Sequence, residues 1–139
     1  MAVLTLEIVT PSKVCFKGEV NSITVPGTEG SFQVLKNHAP LMGTFEIGAV
    51  KIVLPDSSEK YFATGGGTIE VLNNHVLVLA DSLEAVEDIN FERATDAKDR
   101  AENRILHKTD TTDVERAEQA LKRAINRLRL VEKHIRAEV

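Results

Sequence analysis

The stretch "HVLVLADSLEAVEDINFERA", His75 to Ala94, changes its hydrophobic period partway through. Its first part, "HVLVLAD", crowds apolar and β-branched residues into a short run closed by Asp81, the signature of a strand. From about Asn90 the spacing becomes helical, and Ala94, Ala97, Ala101 and Ile105 fall on one face of a helix ending near Leu106. A change of architecture is therefore expected near residues 81 to 90. Composition marks the same place: all eight glycines and all four prolines lie at or before Gly67, while every arginine lies at or after Arg93. Two domains follow, 1–85 and 86–139.

Upstream of the change the chain reads as short strands. In "LTLEIVTP", Leu4, Leu6 and Ile8 alternate with Thr5, Glu7 and Val9, a half-buried strand ended by Pro11. Similar runs follow in "VNSITVPG", "GSFQVL", "AVKIVLP", "KYFATGG" and "TIEVLNN", divided by Gly, Pro, Asn, Asp and Ser. Turn signals this closely spaced point to an antiparallel sandwich or a flattened barrel. The run Gly65-Gly66-Gly67 lacks the Lys-Ser or Lys-Thr of a phosphate loop and reads as a bulge or a close backbone approach.

Downstream, a second helix is expected from Val114 to Ile135. Its apolar face carries Val114, Ala117, Leu121, Ala124, Ile125, Leu128, Val131 and Ile135. Between the helices, "HKTDTTD" holds the capping-box spacing Thr112-x-x-Glu115, in which each residue satisfies the other's free backbone donor. Two antiparallel helices joined by a short turn result. Alanine dominates the first helix, so the helices approach closely while each alanine buries little apolar area, at about 25 cal/mol per Å². The seam is expected to be tight but weak, with an opened form only a few kcal/mol away.

Composition limits the function. The chain has 139 residues, 42% hydrophobic and 27% charged, with a formal net charge of −4, as in an ordinary globular protein. No apolar run reaches the length of a membrane span, and the start lacks a secretory signal, so a cytosolic protein is expected. The single cysteine, Cys15, reads as a small buried hydrophobe. His38, His75, His107 and His134 have no metal-ligand spacing, and no nucleophile or acid–base pair surrounds His38, which reads as a structural loop residue. Neither a metal site nor a catalytic centre is expected.

Against this acidic background, "KRAINRLRLVEKHIR", Lys122 to Arg136, contains six Lys or Arg residues. On a helical wheel Lys122, Arg129, Lys133 and Arg136 form one stripe, while Arg116, Arg123 and Arg127 form another. Spacings of four, as in Asp96 with Arg100, Glu118 with Lys122 and Glu132 with Arg136, would also suit an ordinary solvated face. A small nucleic-acid-binding module using this basic helix is the alternative from another functional class. Its support is weak, because aromatics make up only 4% and the arginines alternate with Glu and Asp.

The segments "VPGTEGSFQVLKNHAPL", "GGGTIEV" and "VLVLAD", followed by the tail with "RAENR" and "RAEQALKRAINRLR", closely resemble the ε subunit of rotary F-type ATP synthases from about Leu4 to Val131. The resemblance implies an α+β chain: a β-sandwich of about ten strands followed by a helical hairpin. It implies a non-catalytic rotor subunit on the cytoplasmic face of a bacterial inner membrane, bound to the γ subunit and resting on the c-ring without entering the membrane. In bacterial members the hairpin is understood to extend into the catalytic head and restrain ATP hydrolysis, with basic residues meeting acidic ones on the β subunit. Lys122, Arg129, Lys133 and Arg136 are the candidates for that contact.

Some members also bind ATP on the folded hairpin through a motif of Ile or Leu, Asp, two variable residues and Arg-Ala. "INFERA" supplies Ile89, Arg93 and Ala94, but Asn90 stands where the motif has Asp. Glu84, Arg100, Arg123 and Arg127 fall on the other corresponding positions. Asparagine keeps a carbonyl acceptor and gains an amide donor while losing the charge, which bears on affinity and base preference. The resemblance implies no required cofactor, only this regulatory ATP.

Overall fold

The computed structural model describes residues 4–109 and 113–135. The chain divides into two compact units, Met1–Ala85 and Val86–Val139. In the first, eight strands are described: β1 (Leu4–Val9), β2 (Val14–Val20), β3 (Ser22–Val25), β4 (Phe32–Val34), β5 (Leu41–Val53), β6 (Glu59–Leu72), β7 (His75–Ala80) and β8 (Leu83–Ala85). They form the hydrogen-bonded order β2-β1-β7-β6-β5-β3-β4, with β8 added beside β6.

Among the described residues there are eight strands rather than about ten, because β5 and β6, 13 and 14 residues long, each serve both layers. The halves of β5 and β6 around Leu41–Phe45 and Gly67–Leu72 continue the layer of β7, β1 and β2. Their other halves continue the layer of β8, β3 and β4. A break halfway along each long strand recovers the larger count. The sheet is also not wholly antiparallel, since β1 and β7 pair in parallel. Period-2 alternation is blind to strand direction and gave no warning of it.

The crossing between layers is visible in the burial pattern. Along β5 the inward residue Phe45 is odd-numbered, whereas Val50 and Ile52 are even; along β6, Phe62 and Thr64 give way to Ile69 and Val71. The register between the strands does not slip, with Phe45 opposite Gly67 and Ile47 opposite Gly65. The glycines therefore do not mark a bulge between β5 and β6. Gly66 adopts a φ of 103°, which turns the ribbon over, and a Cβ on Gly67 would overlap the carbonyl oxygen of Leu79.

Hydrogen bonds hold that corner. The Thr64 hydroxyl donates to the Ser82 carbonyl at 3.0 Å and accepts from the Gly66 amide at 3.2 Å. The Asp81 amide donates to the Gly66 carbonyl at 2.8 Å, and the Gly65 amide to that of Ser82 at 3.2 Å. The core enclosed by the layers includes Leu4, Leu6, Ile8, Ile23, Ile52 and Ile69, all essentially sealed from solvent. Each such side chain contributes about 1.5–3 kcal/mol of burial. Cys15 is only half-buried, its thiol 3.8 Å from the Thr10 hydroxyl, because β2 lies at the edge of the strand order. His38 stays in a loop, with Nδ1 2.7 Å from the Ala39 carbonyl.

The second unit holds a short 3₁₀ turn, Val86–Asp88, and two helices, α1 (Phe91–Leu106) and α2 (Val114–His134), which pack against each other. Asn90 caps α1, its Oδ1 accepting the Arg93 amide at 3.0 Å. Asp113 caps α2 in the same way, accepting the Arg116 amide at 3.0 Å. The start of α2 is thus set one residue later than the Thr112–Glu115 capping box would set it; Thr112 itself lies outside the described residues. A carboxylate at this place also suits the positive end of the helix dipole.

The buried residues of α1 are Ala94 and Ala101, with Ala97 and Ile105 half-buried. Those of α2 are Ala117, Ala124, Asn126, Leu130 and Val131. Ile125 and Ile135, expected on the apolar face, are instead 43% and 42% exposed. Helix α2 buries a second strip, Asn126 and Leu130, about opposite the alanines at 100° per residue. A wheel that assumes one buried face assigns the wrong residues there.

Two substitutions check these assignments. Gly67→Ala should lower the urea stability of the first unit by more than about 2 kcal/mol, because its Cβ meets backbone rather than a movable side chain; a loss within about 0.5 kcal/mol would contradict the corner. Asp113→Ala should cost the hairpin about 1 kcal/mol, seen as faster amide exchange in the first turn of α2, and Thr112→Ala much less.

Candidate functional site

The arginines of the second unit are arranged by the seam beneath them. Ala94 and Ala101 on α1 are seven apart, as are Ala117 and Ala124 on α2, so the small residues can meet at matching levels of an antiparallel pair. On α1, Arg93 and Arg100 lie about 100° to one rotational side of the buried alanines; on α2, Arg123 and Arg127 lie about 100° to the same rotational side of theirs. Reversing one helix while turning its seam to face the other preserves the side. Both arginine rows therefore edge the same flank of the hairpin.

Arg93, Arg100 and Arg123 are exposed and Arg127 is half-buried. Arg93 and Arg100 are separated along α1 by about 10 Å and Arg123 from Arg127 along α2 by about 6 Å, from the rise of 1.5 Å per residue. Such a flank suits an extended anion with several oxygens, each charge-assisted bond contributing about 1.5–3 kcal/mol. Arg93 occupies the first turn of α1 because Asn90 caps that turn. Asn90 thereby commits its side-chain carbonyl to the helix, leaving its amide, a donor, as the other polar group of the side chain. Ala94 is buried at the seam and Ile89 is half-buried just ahead of the cap. Glu84 sits on β8 opposite Ala63, half-buried, and belongs to the first unit.

The second basic stripe is distinct. Lys122, Arg129 and Lys133 are exposed on another side of α2, and Arg136 lies outside the described residues. The Arg129 guanidinium donates through Nη2 to the Asn126 Oδ1 at 3.3 Å. Sequence reasoning passed over Asn126, whose burial a wheel with one apolar face does not foresee. It also left open which face of the sheet is exposed. The layer containing β7 presents Met42, Leu72 and Leu79 outward, Met42 being 80% exposed. The signal was available in the alternation: Leu72 and Leu79 are out of phase with their buried neighbours Val71 and Val78.

Other chemistry is sparse. Among the described residues, no group of three or more His, Cys, Asp or Glu is placed to hold a metal, and no helix is long and apolar enough to cross a membrane. Lys51 and Glu59 pair at 2.8 Å across β5 and β6, and hydrogen bonding to Glu59 raises the Lys51 pKa. In the β5–β6 turn, the Ser58 hydroxyl donates to Asp56 at 2.6 Å and lowers its pKa. Both are exposed features of a hairpin and its turn rather than parts of an active centre.

Comparison with known proteins matches both units. Residues 3–86 match the family described as ATP synthase, Delta/Epsilon chain, beta-sandwich domain, and residues 87–132 match its long alpha-helix domain. The ATP synthase epsilon chain of Desulforamulus reducens is 42% identical over 129 residues, covering 91% of this chain and 96% of that protein. That of Moorella thermoacetica is 40% identical, covering 93% and 96%. A chain in the cryo-EM structure of the Euglena gracilis mitochondrial ATP synthase, comprising OSCP, F1 and c-ring, has the same fold, with a TM-score of 0.82 at 18% identity over 96% of this chain and 83% of its own. The chain belongs to the ATP synthase delta/epsilon family.

Proposed function

We infer that this chain works as a non-catalytic subunit of the ATP synthase central stalk, and that its hairpin regulates the enzyme in response to ATP. The observation that carries the first part is the match of both units, in order, to one family over residues 3–132. The sandwich is the fixed part. Its exposed apolar residues Met42, Leu72 and Leu79 make the outer face of the β7 layer the surface suited to docking against the γ subunit and the c-ring. The site is peripheral, at the cytoplasmic face of a bacterial inner membrane. A role in binding nucleic acid has no observation in its favour.

The hairpin is the variable part. Its arginine rows, Arg93 with Arg100 and Arg123 with Arg127, edge one flank and supply donors to the phosphates of ATP. Asn90 caps the helix that carries the first row, with Ile89 just ahead of the cap and Ala94 buried in its first turn. ATP held by both helices favours the folded hairpin, because a ligand shifts a population only through its differential affinity. Without ATP, α2 is released and its other stripe, Lys122, Arg129, Lys133 and Arg136, meets acidic residues of the β subunit.

Calorimetric titration of the full chain with ATP tests the nucleotide site. Saturable binding in the micromolar to millimolar range is expected, weakened at least about tenfold in Arg100→Ala and in Arg127→Ala. Binding unchanged in both variants would remove these arginines from the site, and absence of binding would leave the stalk role without nucleotide sensing.

A further inference from the structure

Two turns at one end of the sandwich are tied together by a pair of asparagines. The β6–β7 turn is Asn73-Asn74, with Leu72 opposite His75 and φ angles of 51° and 64°, the two-residue hairpin that needs left-handed backbone at both positions. Asn37, in the loop between β4 and β5, has a φ of 66°. Its amide donates to Oδ1 of Asn74 at 2.7 Å, and Nδ2 of Asn74 donates to Oδ1 of Asn37 at 3.4 Å. Asn74 is itself anchored, because its carbonyl accepts the amide of Thr5 on β1 at 2.9 Å. The other hydrogen bonds of residues 35–40, among the described residues, are local. The His38 amide donates to the Leu35 carbonyl at 3.2 Å, and His38 Nδ1 lies 2.7 Å from the Ala39 carbonyl. Glycine would suit the backbone at Asn37 and Asn74 at least as well, but only the side chains make this clasp.

The clasp lies at the rim of the exposed apolar face. Leu72, 50% exposed, immediately precedes the turn, and Met42, 80% exposed, stands opposite Glu70, two residues before Leu72 on β6. Met42 and Leu72 are therefore diagonal neighbours on one face. The loop enters β5 at Leu41, which pairs with Val71. It carries Leu35, 52% exposed, two residues before Asn37. An apolar side chain on an untethered loop loses conformational freedom when it docks, whereas one held beforehand loses less. We propose that the Asn37–Asn74 clasp makes the β4–β5 loop a fixed part of the docking face, so that Leu35 meets the central stalk together with Met42 and Leu72. The proposal rests on the docking of this face to the stalk, as read above. Asn37 and Asn74 are positioning residues in it, and Leu35 is the contact they position.

Glycine substitution tests this, because it keeps the left-handed backbone and removes the side-chain bonds. Binding of the full chain to a stalk complex lacking it is measured, together with amide exchange and urea stability of the free chain. Asn74→Gly should speed exchange of the Asn37 amide and weaken binding, each about tenfold. Asn37→Gly keeps the 2.7 Å bond of its backbone amide and should weaken binding less. Asn74→Asp keeps an acceptor and should bind nearly as the wild type does. Asn73→Gly alters the same turn without touching the clasp and should leave binding unchanged. Equal binding by Asn74→Gly and the wild type, or equal losses in Asn74→Gly and Asn73→Gly, would overturn the role in docking. Unchanged exchange of the Asn37 amide in Asn74→Gly would overturn the clasp itself. If urea shows Asn74→Gly to be unfolded, Leu35→Asp decides: binding as in the wild type removes the loop from the face. Met42→Asp separates the two levels. Loss of binding there without loss in Leu35→Asp overturns only the loop's part, whereas no loss in Met42→Asp overturns the docking face and the proposal with it.

Discussion

Two long strands cross from one layer to the other at a single level, where Phe45 faces Gly67 and Gly66 turns the ribbon over. The rest of the sandwich is arranged around that crossing. Because the inward faces of β5 and β6 change parity together, both layers can bury Val, Ile and Phe from the same two strands without a slip in register. The chain leaves β7 and enters β8 beside the same corner, where Asp81 and Ser82 bond to the glycines and to Thr64. No side chain fits at Gly67, so the corner is set by backbone contact and does not adjust.

The hairpin is built on an opposite principle. Its two helices meet through alanines, which allow close approach but remove little apolar area from water, and α2 buries one amide. The arginines that edge this seam take no part in a hydrophobic core. A ligand or a partner that engages them therefore acts on a contact of modest strength, whereas the sandwich is held by a core of large aliphatic side chains. The difference in side-chain size at the two cores is the physical basis on which the proposal of one fixed and one responsive unit stands.

Much of this was legible in the sequence. The change of period between Ala80 and Asn90 marks where strands give way to helices, and the strands themselves follow from alternation and turn residues. The inner halves of β5 and β6 were harder, because a run such as "KYFATGGGTIEVL" reads as two strands when its phase reverses at the glycines. Pairing direction is not encoded in alternation, which hid the parallel β1–β7 pair. The position of the arginine rows followed from helical spacing once the alanine seam was known. Asn126 was hidden for a different reason: an asparagine on the far side of an amphipathic wheel looks solvated until a second buried strip is seen. Asp113 likewise competes with Thr112 as a cap, and spacing alone favours the wrong one.

The central claim is that the two units differ in how easily they open. Native-state hydrogen exchange across the whole chain, with and without ATP, measures this most directly. The account predicts that amides of α1 and α2 exchange through a low-energy opening that leaves Leu6, Ile69 and Val78 protected, and that ATP slows the hairpin alone. Equal protection of both units, opening together in one cooperative step, would contradict it.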